Sequence, residues 1–208
     1  MSYGFILRRL ATILSVAILT LCLIAAVTGI LLSFYYEPTA GGAYRSLQDV
    51  TTEISNGWLV RSLHDIAGNG LIGLALIQMV VMFLGEKFRT SWLTAWISGI
   101  TLILTGIGLA WTSVLLDWSQ LGYWRFRIEL GTIEAIPYIG SFLRTLVAGG
   151  DSVGSLTVQR LYTLHSYILA IAAVVLAIVH LVSLLKQEQE EIQRLATEEN
   201  KQLSSSEA

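Results

Sequence analysis

The chain has 208 residues, of which 54% are hydrophobic and 13% charged, and its formal net charge is −2. That balance excludes an ordinary soluble domain, in which roughly a quarter of the residues carry charge, and the weak net charge offers nothing to nucleic acid. A single cysteine, Cys22, excludes an internal disulfide, a CxxC pair and a CxxCH attachment motif.

Four stretches carry no charged side chain: 10–36, 66–85, 90–116 and 161–185. Each reaches the roughly 20 residues needed to cross ~30 Å of hydrocarbon at ~1.5 Å per residue. With their less polar flanks they predict spans at about 10–36, 58–85, 90–116 and 158–185. The expected fold is all-α, an integral membrane four-helix bundle over 1–185 with a polar tail over 186–208. Arg8 and Arg9 before the first run also suit a secretory signal, but the run is too long and has no small-residue cleavage site, so it is expected to stay in the mature protein. Cys22, inside that helix, is expected to be a buried, unreactive thiol.

An even number of spans puts both termini on one side, together with Arg8, Arg9, Lys87, Arg89 and Lys186. The positive-inside rule makes that side cytoplasmic. The opposite side carries Arg45, Arg61, Arg125, Arg127, Arg144 and Arg160, several of them in a long loop where the rule loses force. That loop, 117–160, is too long for a simple connector. Within it, 131–148 reads as short amphipathic surface helices, because Ile133, Ile136, Ile139, Phe142, Leu143 and Leu146 recur at helical spacing and Pro137 stands near the start of a turn. Such pieces lie on a membrane surface or roof a pocket. The tail KQEQEEIQRLATEENKQLSSSEA predicts a charged helical extension that frays toward its serine-rich end, a solvated tail or a docking surface.

The three histidines carry the chemistry. His64 stands just before the apolar part of the second span, His165 near the start of the fourth, and His180 fifteen positions later. An imidazole inside a membrane is costly unless something binds it; ligation, a polar contact between helices and a proton relay all answer that cost. The second and fourth spans run in the same direction, so His64 and His165 come to one depth and can supply both axial nitrogens to one haem iron. Gln78 follows His64 by fourteen positions. Fourteen or fifteen steps return to within about 40 to 60° of the same helix face and advance ~21 Å, which predicts a second pair, Gln78 and His180, toward the inner side. A neutral amide is a poor ligand for iron, so a haem there would rest on His180 alone or be held very weakly by Gln78. Arg61, one turn before His64, and Arg160, before the fourth span, suit either haem propionates or lipid head groups. Gly29 suits either the close approach of a flat macrocycle or helix packing.

Four runs in the chain, LLSFYYEPTAGGAYRSLQDVTTEISNGWLVRSLH, DWSQLGYW, IEAIPYIGSFLRTLVAGGDSVGS and RLYTLHS, resemble the cytochrome b/b6 family over about 13–187. The resemblance implies that His64 and His165 ligate haem b on the outer, positive side, that Arg61 and Gly29 lie beside that haem, and that the long loop, from Trp118, Gly122, Tyr123 and Trp124 onward, helps form a quinol-oxidation pocket near a Rieske iron–sulfur protein. The rest of that pocket, including a PEWY motif, belongs in the family to the C-terminal half of cytochrome b or to a separate subunit, so a subunit-IV-like partner is implied. A homodimeric complex in a bacterial inner membrane or a thylakoid membrane, with quinone as substrate, is implied as well.

The departures from the family pattern gather at the inner end. Gln78 replaces a ligating histidine, Ser15 a glycine, Val81 and Trp92 arginines, Ile13 the cysteine that anchors an additional covalent haem in b6f proteins, and Leu185 an arginine. The expectation is one six-coordinate haem, with the inner haem lost or held five-coordinate by His180. A structural or assembly subunit without turnover, and the haem-bearing anchor of a peripheral dehydrogenase, are the competing functions.

Overall fold

The computed structural model describes residues 3–85 and 92–206, and the described chain is helical throughout with no strand. Lys87, Arg89 and the expected start of the third span at Thr90 lie outside the described residues. The helices are α1 (Tyr3–Ser33), α2 (Ala43–Thr52), α3 (Gly57–Leu84), α4 (Leu93–Ser113), α5 (Gln120–Glu134), α6 (Gly140–Ala148), α7 (Ser155–Thr163) and α8 (Ala170–Ser206). A six-residue π-helical turn, Leu164–Leu169, joins α7 to α8 without a break, so the fourth span is one long rod. The spans α1, α3, α4 and α7–α8 are long and apolar enough to cross a bilayer. In the bundle α1 packs on α3 and α8, and α4 packs on α8 and α3. Large apolar side chains such as Val80, Leu104 and Ile171 point outward and are exposed. That outward surface is what lipid tails tolerate and water does not.

One end of the bundle, here the near end, is where α1 begins and α8 leaves. There Arg9 pairs with Glu188 at 2.8 Å, and Thr12 donates to the same carboxylate at 3.1 Å. Glu188 thereby holds the first turn of the tail against α1. The helix then continues through Ser206 and does not fray at its serines as the sequence had suggested. The middle of the bundle is sealed by Ile18, Cys22, Leu71, Leu102 and Ala173, so Cys22 is a core residue.

The far end carries the short helices. α1 stops at Ser33, three residues before the expected limit, because Tyr35 and Tyr36 both return their amides to the Leu32 carbonyl and Pro38 forbids a continuing turn. Beyond that stop, the Tyr36 hydroxyl donates to the Leu116 carbonyl at 2.6 Å, and burial pushes its phenol up, which keeps the proton on the donor. α4 likewise stops at Ser113, before the expected 116. α2 was not foreseen; it buries only Ala43 and Val50. α5 begins at Gln120, well ahead of the expected 131, because Ser119 caps it: its hydroxyl accepts from the Gly122 amide at 3.1 Å. Phe126 and Leu130 of α5 are buried with Ala43, Leu115 and Val158 in a separate core that roofs this end. Pro137 falls in the turn between α5 and α6, not at a helix start. The fourth rod begins at Ser155, three residues before the expected 158.

Two glycines make the roof possible. A Cβ on Gly57 would collide with the Val50 carbonyl, and one on Gly122 with the Val114 carbonyl. Overpacking of this kind costs roughly 1–3 kcal/mol where the neighbour can yield, and backbone yields less than a side chain. Gly122→Ala is therefore expected to lower the melting temperature of the detergent-solubilised protein by several degrees, whereas Gly131→Ala, where a Cβ meets nothing, leaves it in place. Equal melting of the two variants contradicts this packing.

Candidate functional site

His64 on α3 and His165 in the π turn face one another across the far half of the bundle. Their ring centroids are 6.3 Å apart and their planes are inclined by 53°. Both rings are half-buried. Two metal–nitrogen bonds of about 2.0 Å, with about 1.1 Å from each nitrogen to its ring centre, put two axial imidazoles about 6.2 Å apart. The observed gap fits one metal ion seated between the rings.

The proton positions fit as well. His64 Nδ1 lies 2.9 Å from the Ala25 carbonyl and 3.2 Å from Thr28 Oγ1. His165 Nδ1 lies 3.1 Å from the Leu109 carbonyl and 3.0 Å from Thr112 Oγ1. A carbonyl oxygen can only accept, so each Nδ1 carries the hydrogen and each Nε2 keeps its lone pair for a metal. Among the described residues no group of three His, Cys, Asp or Glu side chains is placed to hold an ion. Two imidazoles therefore need a group that brings the other donors itself, which a tetrapyrrole does. Gly29 adds a flat approach: a Cβ there would sit 3.0 Å from His64 Cε1.

Both arginines make hydrogen bonds at the far end of the bundle. Arg61 donates to Thr51 Oγ1 at 3.2 Å and lines an open groove of ≈ 270 Å³ with Tyr44, Gln48, Thr52 and Asp117. Arg160 donates to the Leu146 carbonyl at 2.7 Å, near the C-terminal end of α6, where a cation is favoured. Trp118 adopts φ 48 at the corner where the chain leaves α4 for α5, and its ring meets Tyr123 edge-on at 5.6 Å.

The near end repeats the arrangement with one member changed. His180 Nδ1 lies 2.9 Å from the Ala95 carbonyl and 3.1 Å from Ser98 Oγ, and Gly99 stands against its ring as Gly29 stands against His64. The fifteen positions between His165 and His180 keep one helix face because the π turn, with the Ala170 amide bonded to the His165 carbonyl, absorbs the extra residue. On the other side Gln78 Nε2 donates to the Ala11 carbonyl at 3.1 Å. Gln78 and His180 are both 1% exposed. At this end Leu7, Val81, Met82 and Trp92 form a core with Ala11 and Ala95, and Leu14, Met79 and Trp96 pack on it. Ser15 Oγ is buried there without a hydrogen-bond partner.

The sequence reading did not find Thr28, Thr112 and Ser98. A signal for them existed: Ala25, Thr28 and Gly29 stand fourteen positions after Ala11, Leu14 and Ser15, and Leu109, Thr112 and Ser113 stand fourteen after Ala95, Ser98 and Gly99. Helices α1 and α4 thus repeat the spacing that separates His64 from Gln78.

Four apolar spans enclose two opposed imidazoles, each with its Nδ1 proton committed to a carbonyl, and so define an integral membrane helical bundle with a polar pair at its core. The family model described as Cytochrome b/b6/petB matches residues 3–188. The chain is 33% identical to cytochrome b6 of Synechococcus sp. (strain CC9605) over 165 residues, which is 79% of this chain and 76% of that protein. It is 35% identical to cytochrome b6 of Mastigocladus laminosus over 169 residues, 81% of this chain and 79% of the relative. A solved structure titled "Hyperthermophilic respiratory Complex III" superposes with a TM-score of 0.72 at 24% identity, covering 88% of this chain; the match spans about half, 47%, of that chain. The chain belongs to the cytochrome b/b6 family, the haem-bearing integral membrane proteins of electron transport.

Gly29→Val will push the His64 ring aside, and the reduced b-type absorption band of the purified protein is expected to fall sharply. Gly41→Val, in a turn where a Cβ meets nothing, is expected to leave it intact. A full band in the Gly29 variant contradicts the close approach.

Proposed function

We propose that this chain is the haem b electron-transfer subunit of a membrane quinol oxidoreductase of the b6f or bc1 kind, with a single six-coordinate haem between His64 and His165. The observation that carries this reading is the 6.3 Å separation of the two rings with both Nδ1 protons directed away from the gap. Bound there, haem b supplies one-electron transfer between ferric and ferrous iron. The residues of this chain hold it: His64 and His165 give Nε2, Gly29 leaves room on α1, and Arg61 and Arg160, at the far membrane face, supply cationic charge near its rim.

The near end argues for loss of the second haem. Gln78 is a poor substitute for an imidazole as a metal ligand, and its amide nitrogen donates one hydrogen to the Ala11 carbonyl. Leu14 occupies the place where the other three sites have a hydroxyl, and Trp92, Met82 and Leu184 are buried in one core with Ala11 and Ala95, whose carbonyls hold Gln78 and His180. A macrocycle there would have to displace well-packed side chains, which costs several kcal/mol.

The quinol and its oxidation pocket lie with the roof of α5 and α6 and with a subunit-IV-like partner, and a Rieske protein or another redox subunit takes the electron. The complex is homodimeric, in a bacterial inner membrane or a thylakoid membrane, with the near end on the cytoplasmic, negative side. With one haem in place of two, electron transfer across the full membrane thickness requires a carrier from a partner.

Pyridine haemochrome analysis of the purified complex is expected to give one haem b per copy of this chain. His64→Ala and His165→Ala are each expected to abolish the reduced b band, and His180→Ala to preserve it. Two low-spin b haems per chain, or a full band in either of the first two variants, refutes the proposal.

A further inference from the structure

We propose that Thr28 and Thr112 are positioning residues that set the reduction potential of the far-end haem, each hydroxyl oxygen sharing an Nδ1 proton of a ligating imidazole with a backbone carbonyl. The inference rests on the His64 and His165 ligation proposed above and adds the residues that tune it.

The direction of each hydrogen bond follows from counting protons. The Thr28 hydroxyl has one hydrogen, and it points along its own helix to the Ile24 carbonyl at 2.6 Å. The Thr112 hydroxyl likewise donates to the Gly108 carbonyl at 2.8 Å. Toward the imidazole, each oxygen can then only accept. Every Nδ1–H therefore has two acceptors, a carbonyl and a hydroxyl one turn later on the same helix, at 2.9 and 3.2 Å for His64 and 3.1 and 3.0 Å for His165. Thr28 and Thr112 are 6% and 0% exposed, so no water competes for these contacts.

The hydroxyl follows the imidazole and not the helix. His180 has the same pair of acceptors, the Ala95 carbonyl and Ser98 Oγ. At the fourth position, where Gln78 replaces histidine, the residue fourteen before Thr28 is Leu14, and the amide makes its bond to the Ala11 carbonyl with no hydroxyl beside it. Thr20 and Thr101 donate to carbonyls four residues back on their own helices, so the contact to an imidazole at Thr28 and Thr112 is additional to ordinary helix bonding. An acceptor on the remote nitrogen raises the basicity of a ligating imidazole and favours the more highly charged metal. Two acceptors strengthen that effect and hold the ring plane, and removing one raises the midpoint potential of the iron.

The test uses the intact purified complex with Thr28→Val, Thr112→Val, Thr28→Ser, Thr112→Ser and, at the other end, Ser98→Ala. Haem content, the midpoint potential from a redox titration and the low-temperature EPR g values are measured together. The valine variants are expected to retain haem with a midpoint potential above that of the wild type and shifted g values. The serine variants, which keep the oxygen, are expected to match the wild type, and Ser98→Ala is expected to leave the far-end haem unchanged. Loss of haem in a valine variant with retention in its serine counterpart supports the positioning role, because valine keeps the shape of threonine and serine keeps only its oxygen.

Wild-type potential and g values in both valine variants, or a shift of the same size in Ser98→Ala, overturn the proposal while leaving the ligand assignment intact. A wild-type complex without haem takes down both.

Discussion

The structure depends on one constraint: a polar hydrogen inside hydrocarbon must have an acceptor. A transmembrane helix meets that demand for its backbone but has nothing left for an imidazole. Here α1 and α4 lend carbonyl oxygens to the neighbouring histidines, and each loan fixes which ring nitrogen carries the proton. The nitrogen facing the bundle axis is consequently a lone pair. The orientation of the far-end rings is in this sense a by-product of solvation: the contact that satisfies the buried imidazole also fixes its tautomer.

The two ends of the bundle differ in how that preparation is used. At the far end two prepared rings oppose each other at 6.3 Å under a roof of short helices, and both remain half-buried. At the near end a prepared ring, His180, is closed over by core side chains, and the residue on α3 that would complete a pair is an amide. A backbone carbonyl is available at all four places. The difference lies in the side chains, and the helical frame is common to both ends.

The four spans were legible because charge is expensive in the bilayer, and the runs without it stand out in the sequence. The facing of His64 and His165 was legible because two parallel spans with histidine near their starts leave little freedom of depth. The short helices were harder to see. α2 and α5 show only a few apolar residues each to the roof, and α5 owes its start to a serine cap and to a glycine fitted under the Val114 carbonyl, the second of which exists only once α4 is in place. Thr28 and Thr112 were hidden for a related reason. Threonine in a membrane helix commonly bonds the carbonyl four residues earlier, as Thr20 and Thr163 do, so its composition carries no mark of a second bond to a ring on another helix. The π turn was equally silent; only the odd spacing of His165 and His180 required it.

A cryo-electron density map of the purified complex at side-chain resolution tests the central claim most directly. It is expected to show a planar macrocycle bridging His64 and His165, and continuous side-chain packing from Trp92 to His180 at the other end. Density for a macrocycle beside Gln78, or empty space between the two far-end rings, would contradict the account.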